Sequence, residues 1–274
     1  MKKKPEISRE YFREIIGIML DQYGYDFSDY SVASLSRRFE RFISMNEYDL
    51  DKFRADLTEK PEVFSKFFHS LTVNVTEMFR DPPFYRELTT RVLPGLSSYP
   101  IIKIWHAGCA SGEEPFSLAI LLHEHQLLDR ARIYATDLNP MNLDKAEKGI
   151  LPASAMQDYT RNYISAGGQK QFSDYYTARY DHVMIDPAIR RNIIFSQHNL
   201  VTDHAFNEFQ LICCRNVLIY FNKDLQQRVF RLFDNSLAPL GYITLGSKES
   251  MLFSDLKDRY ETISLNNKIY RRKT

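Results

Sequence analysis

Two adjacent carboxylates, Glu113 and Glu114, open an apolar helical pattern directly after a small-residue turn in "KIWHAGCASGEEPFSLAILLHE" (103–124). Gly108 and Gly112 in that turn let backbone come close to a ligand, and the following helix presents free N–H groups. The spacing is not the G-x-G-x-x-G of a dinucleotide fold, and carboxylates at a helix start repel a pyrophosphate. They suit a neutral or positive ligand; the alternative, that each only complements the helix dipole, stays open here. The next β-rich run ends in "ATDLNP" with Asp137 at its tip, where a carboxylate can accept from both hydroxyls of a ribose. Asp137 follows Gly112 by 25 residues, against about 20 in dinucleotide folds, and capping the helix that Pro140 starts is its other reading. A third run ends in "HNL" with Asn199 and Leu200, and a fourth in "CRNVLIYF" with Arg215, Asn216 and Tyr220 beyond it. Amide side chains suit an adenine edge, and a buried Arg215 needs a partner or a job. Together these residues describe a nucleoside site with a positive or neutral tail.

The elements that must position them divide into two patterns. Residues 1–92 read as helices and a connecting segment: Ser8 can cap a helix whose stripe is Tyr11, Phe12, Ile15, Ile16, Met19 and Leu20, and Gly24 can end it. "VASLSRRFERFISM", "EYDLDKFRADL" and "EVFSKFFHSL" continue the helical period, and Pro82 and Pro83 can start another helix. From 93 to 274 the runs "IIKIWHA", "ARIYATD", "NIIFSQHN", "FQLICCRN" and "YITLGS" alternate with helices after the first, second and fourth. That order predicts a Rossmann-like α/β domain with a parallel sheet, preceded by an all-α domain. A small β insertion is expected at about 171–190, around "DYYTARYDHVMI". The last run, "YETISLNNKIYRRK", reads as an antiparallel edge hairpin turning tightly at Asn266-Asn267.

The chain of 274 residues carries 36 Lys and Arg against 35 Asp and Glu, so no global field draws it to nucleic acid or to an anionic membrane. Three cysteines, two of them adjacent, make no disulfide framework and point to a reduced compartment. The basic start alternates charges where a signal peptide needs an apolar core, which predicts a cytoplasmic protein without direct membrane insertion. His123 and His125 face different directions on a helix and are not expected to bind a metal. Cys213 and Cys214 read as core. Tyr175, Tyr176 and Tyr180 are hairpin packing or a surface for a ligand. Arg37 and Arg41 share a helix face that Arg38 flanks, which is either a solvated face or a patch for an acidic partner.

The segments "NVTEMFRD", "AGCASGEEPFSLA", "ATDLNPMNLDKAEKG", "HNL" and "CRNVLIYFNKDLQQRVF" resemble, in order and over nearly the whole chain, the motifs of the CheR family. These are chemoreceptor glutamate O-methyltransferases that use S-adenosylmethionine and release S-adenosylhomocysteine. The resemblance implies a chemotaxis signalling role and cofactor contacts from Asn74, Thr76, Arg80, Gly108, Glu114, Asp137, Asn199, Leu200, Arg215 and Asn216. It implies a catalytic pair, Arg80 and Tyr220, and a basic helix, here Arg37, Arg38 and Arg41, that meets the acidic cytoplasmic helices of a methyl-accepting chemoreceptor. Two segments depart from the family. The insertion, "ISAGGQKQFSDYYTARYDHVMIDPAIR", is longer around the turn that docks a tethering pentapeptide in enteric members, and a G-H-S-E-like segment reads "GSKES" (246–250). The alternatives are a methyltransferase of another protein or of a small molecule, and a non-catalytic cofactor-binding regulator. The presence of both Arg80 and Tyr220 speaks against the regulator.

Overall fold

A computed structural model describes residues 7–72 and 75–274. The chain forms two compact units, residues 1–74 with 220–228, and residues 75–219 with 229–274.

The first unit is helical. α1 (Arg9–Tyr23) is capped by Ser8, whose Oγ accepts from the Tyr11 amide at 3.1 Å, and it ends at Gly24 with φ 74°. α2 (Val32–Met45), α3 (Leu50–Glu59, capped by Asp49) and α4 (Pro61–Leu71, with proline at its first position) follow. Phe12, Ile15, Ile16 and Met19 of the predicted stripe are buried, whereas Leu20 is 43% exposed. The centre of the unit is aromatic. The Phe39, Phe53 and Phe67 rings meet pairwise at 4.9–5.4 Å between centroids, in tilted and edge-to-face geometry that adds to their area burial. Segment 220–228 packs here: the Ser31 amide donates to the Tyr220 carbonyl at 2.7 Å, Tyr30 bridges Phe221, and the Asn222 amide group donates to Asp29 at 3.0 Å.

The second unit starts with α5 (Pro82–Glu87), a π turn (Leu88–Val92) and α6 (Leu93–Leu96). Then come β1 (Ile102–Ala107), α7 (Glu113–Glu124), β2 (Ala131–Asp137), α8 (Pro140–Lys148), β3 (Ile150–Pro152) and α9 (Met156–Ser165). After them are β4 (Tyr176–Arg179), β5 (His182–Ile185), α10 (Pro187–Arg190), β6 (Ile193–Gln197) and β7 (Phe209–Cys214). α11 (Lys223–Ser236), of which 223–228 belong to the first unit, β8 (Leu237–Leu245), β9 (Tyr260–Ser264) and β10 (Ile269–Arg272) complete the chain. One seven-stranded sheet has the order β6-β2-β1-β7-β8-β10-β9; its first five strands are parallel and β10 pairs antiparallel with both neighbours. The order reverses between β1 and β7, and their register, His106 opposite Cys213, brings the turn after β1 level with Arg215 after β7. This is the switch point at which open α/β sheets bind ligands.

Three details differ from the sequence reading. The two units divide after 74 and not after 92, because Met78, Phe79, Phe84, Tyr85, Leu88, Val92, Leu93 and Leu96 share a buried core with Ile102, Ile104 and Phe116. The insertion hairpin β4–β5 recruits β3, so its sheet has three strands in the order β3-β5-β4. The terminal hairpin turns through four residues, 265–268, with Lys268 at φ 52° and a bulge beside Ile269. Within the insertion Tyr175 is buried and donates to Glu124 of α7 at 2.8 Å, while Tyr180 stands fully exposed at the hairpin tip. Cys109, Cys213 and Cys214 are free and buried. No helix among the described residues is long and apolar enough to cross a membrane.

Candidate active site

Gly108 adopts φ 84°, and a Cβ there would lie 2.5 Å from Val217 Cγ2, so both conformation and space demand glycine. The Gly108 and Cys109 amides donate to the Thr136 carbonyl at 2.8 and 2.9 Å, which fastens the turn to the end of β2. Asp137 completes the join: Oδ2 accepts from the Ala110 amide at 2.8 Å, and Oδ1 accepts from the Asn139 amide at 2.9 Å and from Asn142 Nδ2 at 3.3 Å. The helix cap beyond β2 is Asn139, whose side chain accepts from the Met141 amide, so Asp137 does not serve as the cap. Burial pushes the Asp137 carboxyl above its ordinary range against the pull of these donors. Glu113 is also buried and raised for that reason, and it takes a hydrogen bond from Ser111 at 2.8 Å.

Glu114 faces the protein on both oxygens. Oε1 lies 3.0 Å from His106 Nδ1, and Oε2 accepts from Arg215 Nη1 at 2.9 Å. Arg215 Nη2 continues to Asp81 Oδ2 at 2.7 Å and to the Arg80 carbonyl at 3.3 Å, with its guanidinium 4.0 Å above the Phe84 ring. Burial works to raise the Glu114 carboxyl, but Arg215 and His106 outweigh it and hold the group below its ordinary value. This is the partner that Arg215 required. Two carboxylates share one guanidinium, so the chain Glu114–Arg215–Asp81 carries one net negative charge at the switch point. His106 Nδ1, Glu114 and Cys213 could be taken for metal ligands, being within 4.8 Å of one another. A cation placed among them would face the Arg215 guanidinium, which already holds Glu114.

Arg80 sits on a turn fixed from several sides. Phe79 and Asp81, which flank it, take left-handed φ values of 52° and 59°, a cost of order 1–3 kcal/mol each that the surroundings must offset. The Phe79 amide donates to Ser117 Oγ at 2.9 Å, Asn162 Nδ2 donates to the Met78 carbonyl at 3.1 Å, and Arg215 holds Arg80 O and Asp81. Among the described residues the Arg80 guanidinium itself makes no hydrogen bond or ion pair. Thr76 lies partly exposed on the extended stretch before this turn, and Asn74 lies outside the described residues.

The remaining expected contacts surround the same sheet end. Asn199 uses its Oδ1 to accept from the Val201 amide at 3.0 Å, and Leu200 is half-buried beside it. Asn216 takes φ 62°. Its amide donates to Glu249 Oε2 at 3.0 Å, as does the Gly246 amide at 2.6 Å, while the Ile219 amide donates to Oε1 at 3.2 Å. Glu249 is thus the buried anchor of the loop after β7, and burial raises its carboxyl. Sequence reasoning noticed its segment but not this role, since nothing in Gly-Ser-Lys-Glu-Ser (246–250) marks one of its polar residues as buried. Asp81 was missed in the same way, although it follows Arg80 directly. Tyr220, Arg37, Arg38 and Arg41 belong to the first unit. Arg37 and Arg41 are exposed one turn apart on α2, but Arg38 is half-buried, its guanidinium 4.6 Å from the Tyr220 ring centroid.

The donor set fits a nucleoside whose tail is cationic. Asp137 is an acceptor-only carboxylate that stays partly exposed at the end of β2, and a carboxylate oxygen can share its lone pairs between backbone and hydroxyl donors. The net negative chain beside it favours a positive group over a phosphate. Residues 74–269 match the family model of the CheR methyltransferase SAM-binding domain. A Pseudomonas putida protein provisionally named as the methyltransferase Cher3 is 44% identical over 95% of this chain and 96% of its own. A chemotaxis protein methyltransferase of Listeria monocytogenes is 29% identical over 97% of this chain and 98% of its own. Chemotaxis protein methyltransferase 1 of Pseudomonas aeruginosa is 31% identical over 74% and 76%. The α/β sheet with its switch-point turn, the acceptor set around Asp137 and these matches agree, and the chain belongs to the CheR family of S-adenosylmethionine-dependent methyltransferases.

Proposed function

We propose that this enzyme methylates glutamate side-chain carboxylates on the cytoplasmic helices of a methyl-accepting chemoreceptor, in the cytoplasm, giving glutamate methyl esters. The observation that carries the reading is Arg80: a guanidinium with no hydrogen-bond or ion-pair partner among the described residues, on a turn held by buried contacts. Such a group is free to bind an incoming carboxylate with a charge-assisted, two-pronged hydrogen bond. When bound, S-adenosylmethionine supplies an electrophilic methyl group on a positively charged sulfur. A glutamate acceptor is ionised at neutral pH, so no residue of the chain has to remove a proton. What the chain contributes is position, and holding reactants at about 3–3.5 Å can supply roughly 7–11 kcal/mol. Asp137 is assigned to the ribose, and Asn199, Leu200, Asn216, Thr76 and Asn74 to the rest of the cofactor. The net charge of the Glu114–Arg215–Asp81 chain favours the cationic end, a role Glu114 fills through the field of the chain because both its oxygens have protein partners. Tyr220 is the second member of the catalytic pair, and Arg37 and Arg41 offer exposed positive charge to an acidic helix. The relatives named as chemotaxis protein methyltransferases support the acceptor class.

The test is direct. The purified chain is incubated with methyl-labelled cofactor and membranes from its own cell. Label on a receptor-sized band that mild alkali releases as methanol is the expected result, because a methyl carboxylate is an ester. Alkali-stable label, as on nitrogen or an aryl oxygen, would contradict carboxyl transfer.

A further inference from the structure

The first unit does more to Tyr220 than pack beside it. The Tyr220 carbonyl accepts from the Ser31 amide at 2.7 Å, and the next residue, Phe221, forms a β-bridge with Tyr30 and meets its ring edge-on at 4.9 Å. Asp29 holds Asn222 and Arg228 at 3.0 and 2.5 Å. The backbone is thereby fixed by the turn just ahead of α2, and the ring is met by α2 itself. Arg38 places its guanidinium 4.6 Å from the ring centroid and donates through Nη1 to the carbonyl of Leu71, the last residue of α4. A carbonyl at a helix end lacks an intrahelical partner, so this bond gives the guanidinium a fixed seat. Burial lowers the Arg38 pKa and the phenol of Tyr220 offsets part of that. Its neighbours Arg37 and Arg41 share neither the burial nor the contact.

We propose that Arg38 is a positioning residue for Tyr220, set apart from the receptor-facing charges Arg37 and Arg41 on the same helix. This rests on the reading above that Tyr220 takes part in methyl transfer. A cation stacked on one face of the ring restrains the ring's rotation and closes that face to a second cation. Tyr220 is then left to act through its other face, or through a hydroxyl that Arg38 also engages. The helical unit, on this account, sets the aim of a catalytic side chain, and its basic helix carries two separable jobs.

The split is readable in steady-state kinetics of the full-length protein, with labelled cofactor and receptor-bearing membranes. Arg38→Ala is expected to lower kcat about tenfold, a loss of the size one ring-cation contact can cause, with the KM for membranes changed less than about twofold. Arg38→Lys should recover part of the rate, since it keeps the charge but not the plane. In a Tyr220→Ala background, Arg38→Ala should cost nothing further, whereas Arg41→Ala should raise KM and lose its effect at high salt. An Arg38→Ala enzyme with unchanged kcat, a raised KM that salt erases, and full additivity with Tyr220→Ala would overturn the proposal. A readout without turnover separates this from the function itself: the Tyr220 ring should shift the Arg38 side-chain proton resonances upfield, and Tyr220→Leu should remove the shift. Absence of that shift in the wild type refutes the contact. Its presence, in a protein that labels no carboxylate, refutes the assigned reaction instead.

Discussion

The turn carrying Arg80 is fixed by buried charge, with Arg215 gripping its backbone and Asp81 while Glu114 and His106 hold Arg215 from behind. The segment carrying Tyr220 is fixed by a backbone bridge, a ring stacked on Arg38 and ion pairs that reach solvent. In the first region the side chain of Arg215 is 2% exposed, so its charge depends on its partners for solvation. In the second, Arg228 and Asp29 are 49% and 32% exposed, and such pairs contribute little to stability. The Arg80 turn is therefore intolerant of change, and the Tyr220 segment tolerates it at small cost.

The largest effect expected from this contrast is on stability. Arg215→Ala leaves Glu114 buried and uncompensated and should destabilise the second unit by about 3–5 kcal/mol. Trp105, the only tryptophan, is buried on β1, so its fluorescence in urea follows that unit alone. A loss under about 1 kcal/mol would mean that the buried chain is not what fixes the Arg80 turn. Asp137→Ala comes next. It should weaken S-adenosylmethionine and S-adenosylhomocysteine equally, by about 1.5–3 kcal/mol or roughly 10- to 150-fold, because both carry the ribose. Calorimetric titration with undiminished affinity would remove Asp137 from the pocket.

The smallest effect is a pH dependence with opposite signs at two glutamates. Glu114 is held below 4.5 in the folded state, so its contribution is present above that value and lost as pH falls through the folded pKa. Glu249 is held above 4.5, so its contribution is complete below that value and lost as pH rises through the folded pKa. Relative to Glu249→Gln, the wild type should therefore lose stability as pH rises from about 4 to neutrality. Relative to Glu114→Gln it should gain. Urea unfolding of the three proteins across that range checks both slopes, and equal slopes would erase the distinction.

What the sequence showed and what it hid follow from range. The place of Asp137 at a strand tip was legible because β2 is a β-rich run whose end lies at the edge where such sheets bind ligands, and Gly108 because strand, turn and helix are contiguous there. The Arg215–Asp81 bond joins residues 134 apart, and no periodicity reports such a pairing. Arg38 was grouped with Arg37 and Arg41 because helical spacing tells which residues share a face but not what covers it. β3 escaped because three residues ending in proline carry no alternation. The break after residue 74 escaped because 75–92 keeps a helical pattern on either side of it, and only its burial against Ile104 and Phe116 assigns it to the second unit.

Single-turnover methyl transfer by Arg80→Ala tests the central claim most directly, with cofactor and receptor membranes both at saturation. The Arg80 guanidinium makes no hydrogen bond or ion pair among the described residues, so its loss should leave the fold nearly intact. The account predicts a transfer rate lower by about 100-fold or more, as for loss of a charge-assisted contact made to the reacting group. Arg80→Lys should recover only part of it, because an ammonium lacks the planar fork that fixes a carboxylate. An Arg80→Ala enzyme transferring at the wild-type rate would contradict the account, since the acceptor carboxylate would then be aimed by something else.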